Sequence, residues 1–414
     1  MDARQERGLL IATTCKIEET KLGWKVPSQS GNGTYIINLD HGEPFCSCPD
    51  FDTTHQKCKH IYAVEFMLQN REHPESAIRV KSIRATYTQD WPAYNDAQTH
   101  EQERFVALLR DLCNGIQQPP QTFGRPRLPL ADVVFGLVFK SYTTMSGRRF
   151  MSNLRDAEMK ELVTKCPSFT SGFRYLENAD LIPILKTLIE QSASPLRAVE
   201  TDFAVDPSGF ATTTYARWFD HKYGKERTKQ TWVKTHLICG VKTHVVTSVE
   251  ATPYESADNI QLPALVNQTA KTFDINEVSA DKAYSDRRNL QTVQALGGTA
   301  YVPFKVNSTG MGGHHHKFDG LWNHMWHFYN FNRDAFLEHY HKRSNVETTF
   351  SMIKAKFGSS VRAKTPVAQV NEVLCKVLCH NICVLIQSVF ELGIETTFWT
   401  FGTKEAVVPK MAWE

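Results

Sequence analysis

Apolar and polar positions along the chain follow two different periods. In the first part, short alternating stretches, GWKVPS and TYIINLD, read as strands, and a helical pattern follows from His60 through Leu68. A second helix is expected around Asp96–Cys113. QQPPQTFGRPRLPL at 117–130 is rich in Pro and Gly and reads as a linker. Beyond it, LADVVFGLVFKSY and RRFMSNLRDAEMKELV predict two helices joined at Ser146-Gly147. From 196 the period shortens. VETDFAV, TWVKTHLICG and HVVTSVEATP predict three strands, the last two joined by a short turn. A helix near Asn259–Thr272, a strand at NEVSA, a helix near Asp286–Ala295 and a strand at TAYVPF come next, before a loop rich in Gly and His and a long final helical region. No internal repeat is visible.

Composition narrows the class without choosing a function. The 414 residues suffice for two to four domains, and 41% hydrophobic with 22% charged content describes an ordinary globular chain. The net charge of +3 decides nothing, but its distribution is informative. Residues 119–155 carry six Lys/Arg against one acid, 217–234 six against two, and 340–364 six against Glu347 alone. Three basic blocks in a nearly neutral chain point to a polyanionic partner, although any one of them taken singly reads better as solvated surface. The charged start MDARQERGLL is unlike a secretory leader. The apolar run from Val373 is broken by Lys376, His380 and Asn381, so it predicts a buried helix and no membrane span. Ten cysteines in such a chain fit reduced thiols and metal ligation in a cytoplasmic protein.

Four of those side chains form one cluster. Cys46, Cys48, Cys58 and His60 are spaced C-x-C-x9-C-x-H. Three thiolates and an imidazole are what tetrahedral zinc prefers, and a closed set of four protein ligands is structural. The wording CSCPDF followed by CKHIYAVEF resembles a SWIM zinc finger, and that resemblance implies a module for binding DNA or protein. His314, His315 and His316, in their Gly-rich loop, make a weaker metal candidate. Cys375, Cys379 and Cys383 recur every four residues on an apolar helix and read as core thiols.

Another pattern carries chemistry. In YHKRSNVETTFSMIK, residues 340–354, Tyr340, Arg343, Glu347 and Lys354 fall within about 60° of one another on an ideal helix. A core-facing stripe would be apolar; this one is polar and mixed in charge. Upstream, the strand VETDFAVDPSGF carries Asp202 and Asp206, and NEVSADKAYSD carries Asp281 after a strand. With Glu347 these acids offer an Asp–Asp–Glu set on three elements, suited to Mg²⁺ and to phosphoryl transfer with two metals. Each acid alone reads as surface or as a cap.

Three strands, a helix, then alternating strand and helix is the order of an RNase H-like domain. AVDPSGF, ADKAYSDRRNL and KRSNVETTFSMIK, in that order, resemble the bacterial insertion-sequence transposases of the DDE type, and more narrowly those with a Tyr-x2-Arg-x3-Glu-x6-Lys signature. The resemblance makes Asp206, Asp281 and Glu347 the catalytic acids and leaves Asp286 at a helix start. Pro207 departs from the small residue more usual after the first acid. The resemblance also implies two catalytic Mg²⁺ (or Mn²⁺), with Arg343 and Lys354 on DNA phosphates and Tyr340 positioning the strand. Its partners would be transposon ends and target DNA, bound by a homo-oligomer.

The expected architecture is an α/β (α+β) RNase H-like catalytic domain with a mixed sheet at 196–395. It is preceded by a small α+β zinc-finger domain at 1–118 and a helical, DNA-binding region at 119–195, and followed by a tail at 396–414. GRPR at 124–127 reads as a linker, with an arm entering the minor groove as the alternative. Two rival functions remain at this point: a metal-dependent nuclease without strand transfer, and a DNA-binding regulator derived from a transposase.

Overall fold

The computed structural model describes residues 3–20, 23–28, 34–39, 44–72, 90–121, 123–124, 126–212, 232–253, 255–310 and 320–399. His314–His316, most of the 217–234 basic block and most of the expected tail lie outside the described residues. The chain divides into two compact units, Met1–Arg84 and Ala85–Glu414.

The first unit opens with a helix that alternation did not predict, α1 (Ala3–Thr14), packed on α3 (Lys59–Glu72). Between them an antiparallel sheet runs in sequence order: β1 (Glu18–Thr20), β2 (Gly23–Pro27), β3 (Thr34–Asn38) and β4 (Phe45–Cys46). A short helix, α2 (Pro49–Thr54), starts where the Cys48 Sγ accepts the Phe51 N–H at 3.4 Å. Ile11, Val26, Ile37, Ile61 and Val64 form its small core, continuous with Cys46, Cys48 and Cys58.

In the second unit the helix expected over Asp96–Cys113 is two, α4 (Trp91–Thr99) and α5 (Glu101–Asn114), because His100 leaves helical geometry at φ −102°, ψ 8°. Phe105, Leu109 and Leu112 bury α5 in the core of the second unit, so these helices belong with it although the sequence grouped them with the finger. Next come α6 (Leu130–Thr143) and α7 (Gly147–Met159), followed by α8 (Phe169–Leu176) and α9 (Leu181–Ala193), which the sequence reading passed over. The buried Asp132 carboxylate ties α5 to the end of this hairpin, taking the Arg110 guanidinium at 2.8 Å and the Thr164 N–H at 3.0 Å.

The sheet of the second unit contains β5 (Asp202–Ala211), β6 (Trp232–Gly240), β7 (Val246–Thr252), β8 (Glu277–Ala280) and β9 (Thr299–Tyr301). Its order is β7-β6-β5-β8-β9, with β5–β6–β7 antiparallel and β8 and β9 parallel to β5. A three-strand meander whose first strand is extended by parallel strands is the RNase H-like arrangement. Helix α10 (Leu262–Thr269) leads to β8, and α11 (Arg287–Ala295) crosses from β8 to β9.

Helices α12 (Gly320–Phe331) and α13 (Arg333–Tyr340) precede a 3₁₀ turn at His341–Arg343 and α14 (Ser344–Phe357). The Tyr340–Lys354 stretch is therefore not one uniform helix. The final long helix, α15 (Pro366–Leu392), is long and apolar enough to cross a bilayer but is mostly buried inside the fold. Its Asn381 side chain donates to the Val246 carbonyl at 2.7 Å and accepts the Val246 N–H at 2.8 Å, so a buried amide is satisfied against β7. Cys375 and Cys379 lie in this core and Cys383 at its edge.

Candidate active site and metal centre

Strand pairing brings the first two acids together. The parallel ladder of β5 on β8 ends with Val205 opposite Ala280, so Asp206 and Asp281 follow side by side. Beyond that point β8 turns away and β5 pairs with β6 only, until Ala211 meets the segment after α14. Pro207, which lacks an N–H, therefore falls where only one neighbouring strand is present, a position that tolerates it. Asp281 caps the 3₁₀ turn Lys282–Tyr284, taking the Lys282 N–H at 2.6 Å, and Asp286 caps α11 through the Arg288 N–H at 2.8 Å.

The third acid arrives on α14. Glu347 stands in its first turn, and Arg343, one turn earlier, joins it to the strand. One guanidinium nitrogen donates to Asp206 Oδ2 at 2.8 Å and another to Glu347 Oε1 at 2.5 Å. Asp206 is only 18% exposed. Burial pushes its carboxyl up to about 6, against the pull of Arg343 and with further upward pressure from Asp281, Glu347 and Asp258. Ionised carboxylates this crowded call for a cation, and a cleft of hard oxygen donors suits a divalent one.

The other two residues of the polar stripe, Tyr340 and Lys354, have different surroundings. Tyr340 is half-buried; burial raises its phenol, Arg343 opposes that, and Asp281 and Asp206 add to it. Lys354 Nζ donates to Ser208 Oγ at 2.6 Å, two residues beyond Asp206, and sits over the Phe210 and Phe350 rings. Burial lowers its ammonium. Across the 3₁₀ turn that interrupts their helix, Arg343 joins Asp206 to Glu347, while Lys354 reaches β5 at Ser208, beyond the acids.

Asp202, the other acid of β5, is engaged elsewhere. It accepts Lys342 Nζ at 2.7 Å and the Asn276 side-chain amide at 3.0 Å. Lys342 also reaches Glu277 at 2.7 Å, directly opposite Asp202 in the parallel register. The same Glu277 takes His339 Nδ1 at 2.8 Å, while the His339 ring stacks on Tyr301 at 4.3 Å. Sequence reasoning missed Lys342, although it adjoins Arg343. It also missed Asp258, in the loop after β7, whose carboxylate is 2.5 Å from Lys234 Nζ; no spacing signals it.

In the first unit Cys46, Cys48, Cys58 and His60 are all buried, and their ligand atoms lie within 4.8 Å of one another. His60 Nδ1 is 3.9 Å from Cys46 Sγ and 3.8 Å from Cys58 Sγ. Zinc bonds of about 2.0–2.3 Å place tetrahedral ligands roughly 3.5–3.8 Å apart, so the set fits that ion. β4 and the start of α2 supply the first two thiols; the last thiol and the imidazole stand at the start of α3.

The transposase DDE domain family matches residues 197–382. The chain carries a transposase DDE domain. The match spans all three acids, and such a domain is that of a DNA-binding enzyme, a DDE-type nuclease and strand transferase. The SWIM zinc finger family matches residues 35–69, which hold the Cys₃His cluster, so a structural zinc site precedes the DDE domain. Among solved structures, a piggyBac transposase synaptic complex with hairpin DNA is similar over 77% of this chain and 79% of that one, at 11% identity and a TM-score of 0.34. No curated protein matches the chain.

Proposed function

We propose that the protein is a DNA transposase that cuts at transposon ends and joins the freed 3′-hydroxyl to target DNA. The observation that carries this reading is the convergence of Asp206 and Asp281 on adjacent parallel strands with Glu347, reached through Arg343. These three carboxylates would hold two Mg²⁺, or Mn²⁺ in their place. The ions would supply a nucleophilic water or 3′-oxygen and charge stabilisation for the leaving oxygen.

The chain's own residues do the rest. Asp206, Asp281 and Glu347 fix the donor geometry. Arg343, a planar fork, pairs a phosphate beside the cut bidentately, and Lys354 adds a point charge along β5. Tyr340, three residues before Arg343, would orient the strand. The finger, built on its zinc, is a binding module for DNA or protein. Two ends must be held together for joining, so a homo-oligomer on DNA in the cytoplasm is the working assembly.

With a duplex carrying the element's ends, Asp281→Asn and Glu347→Gln should abolish Mg²⁺-dependent cleavage and leave duplex binding intact. Cleavage by either variant at the parent rate would sink the assignment. A nuclease without strand transfer is the second reading. An end with its 3′-hydroxyl already exposed separates the two, because a transposase joins it to target DNA and a nuclease does not. A regulator that only binds DNA is disfavoured by the presence of all three acids.

A further inference from the structure

The DDE reading accounts for the acids and the polar stripe, but not for a basic and aromatic surface on the α6–α8 hairpin. Arg148 and Arg149 at the start of α7 and Arg174 on α8 are exposed. None of the three takes part in an ion pair among the described residues. Rings lie among these cations. The Arg148 guanidinium is 5.6 Å from the Phe169 ring, Lys140 Nζ is 5.8 Å from the Phe173 ring, and Phe173 is 40% exposed. The acids of α7, Asp156 and Glu158, are confined to its other end.

This surface is linked to the cleft by a continuous chain of contacts. β5 runs from Asp206 past Ser208, which holds Lys354, to Ala211. Ala211 pairs with the segment after α14, donating to the Ser359 carbonyl at 3.1 Å and accepting the Val361 N–H at 2.9 Å. The next residue, Arg362, is exposed and donates to the Thr144 carbonyl at 2.8 Å, in the turn between α6 and α7. Arg362, Arg148, Arg149 and Arg174, all exposed, with the half-buried Lys354 and Lys140 beside them, therefore mark a cationic path that leads away from the acids.

We infer that this path is a duplex-DNA track, with Arg148, Arg149 and Arg174 gripping backbone phosphates on the flank of the cleaved site. The inference rests on the transposase reading and adds where the flanking duplex lies. Unpaired cations beside half-exposed rings suit a phosphate backbone, whose contacts dominate affinity and release counterions. Residues 206 to 211 of an extended strand span about 16 Å, so the hairpin contacts begin about five base pairs or more from the cut.

The test is equilibrium binding of a fluorescent duplex of arbitrary sequence, about 30 base pairs long, to the full chain without divalent ions. Salt is varied from roughly 50 to 200 mM. Arg148→Glu with Arg149→Glu should weaken binding at least about ten-fold and flatten the salt dependence by about two contacts. Arg174→Gln should do the same to a smaller extent. The control pair Arg197→Glu and Lys271→Glu, at exposed positions off the path, should change little. Parent-like binding by both Arg148/Arg149 and Arg174 variants would overturn the track while leaving the transposase reading in place. Failure of the parent to bind any duplex would overturn both.

Discussion

Asp206 carries the largest electrostatic load in the cleft. Burial lifts its carboxyl to about 6, and Asp281 and Glu347 add to the lift, so Arg343 compensates only in part. A folded-state value above the unfolded one means that the native protein holds this proton more tightly. The ionised carboxylate then costs stability, with no cost below about pH 4 and the full cost once the pH has risen through about 6. Asp206→Asn should therefore be more stable than the parent by about 2–3 kcal/mol at pH 7.5 without divalent ions, and level with it near pH 4. Urea denaturation at the two pH values checks this, and an unchanged difference between them would contradict the burial account. The same variant should lose cleavage altogether. Asp202, four residues earlier on the same strand, shows why composition could not choose between the acids: Lys342 and Asn276 occupy it, a fact of packing.

The decisive element is the turn between α13 and α14. Neighbouring residues within it diverge, Lys342 to Asp202 and Glu277 and Arg343 to Asp206 and Glu347. Asp202 and Glu277 are like charges opposite each other in register, and Lys342 is the cation between them. Lys342→Met should cost about 2 kcal/mol in thermal or urea melts, because it leaves two partly buried carboxylates facing each other. It should also slow cleavage by loosening Arg343, and Lys342→Arg should recover much of both. Cleavage by Lys342→Met at the parent rate would show that the turn holds its shape without this clamp. Periodicity brought Tyr340, Arg343, Glu347 and Lys354 onto one stripe but took the stretch for a continuous helix. The 3₁₀ turn depends on what it grips, and a helical period carries no record of that.

At the scale of the whole molecule the two units rest on different physics. The second has a large apolar core and a buried central helix. Among the described residues the first has one small core cluster of ten buried apolar or thiol side chains, three of them the zinc-site cysteines, so its stability should depend on the ion. Stripping zinc with a strong chelator should unfold Met1–Arg84, read as protease cleavage within that unit, while the melting transition of Ala85–Glu414 persists. Cys58→Ser should take the zinc content of the purified chain from about one equivalent to none. A first unit still resistant to protease after zinc is removed would show that its apolar core suffices.

Local chemistry in the sequence was enough for some of this. The C-x-C-x9-C-x-H spacing implied four ligands for one ion, because thiolate and imidazole chemistry is set by residue type and the ligands lie close along the chain. The succession of strands and helices along the DDE domain was legible for a similar reason, since alternating periods are local, whereas the β7-β6-β5-β8-β9 pairing order came only from the structure. The motif around Asp206 already set it apart from Asp202, but only the tertiary structure gives Asp202 its partner, a lysine 140 positions away. It also decided that α4 and α5 join the second unit, because burial of Phe105 and Leu109 needs surfaces distant in the chain. Residue types are local properties, and the charges and surfaces each residue meets are set by the fold.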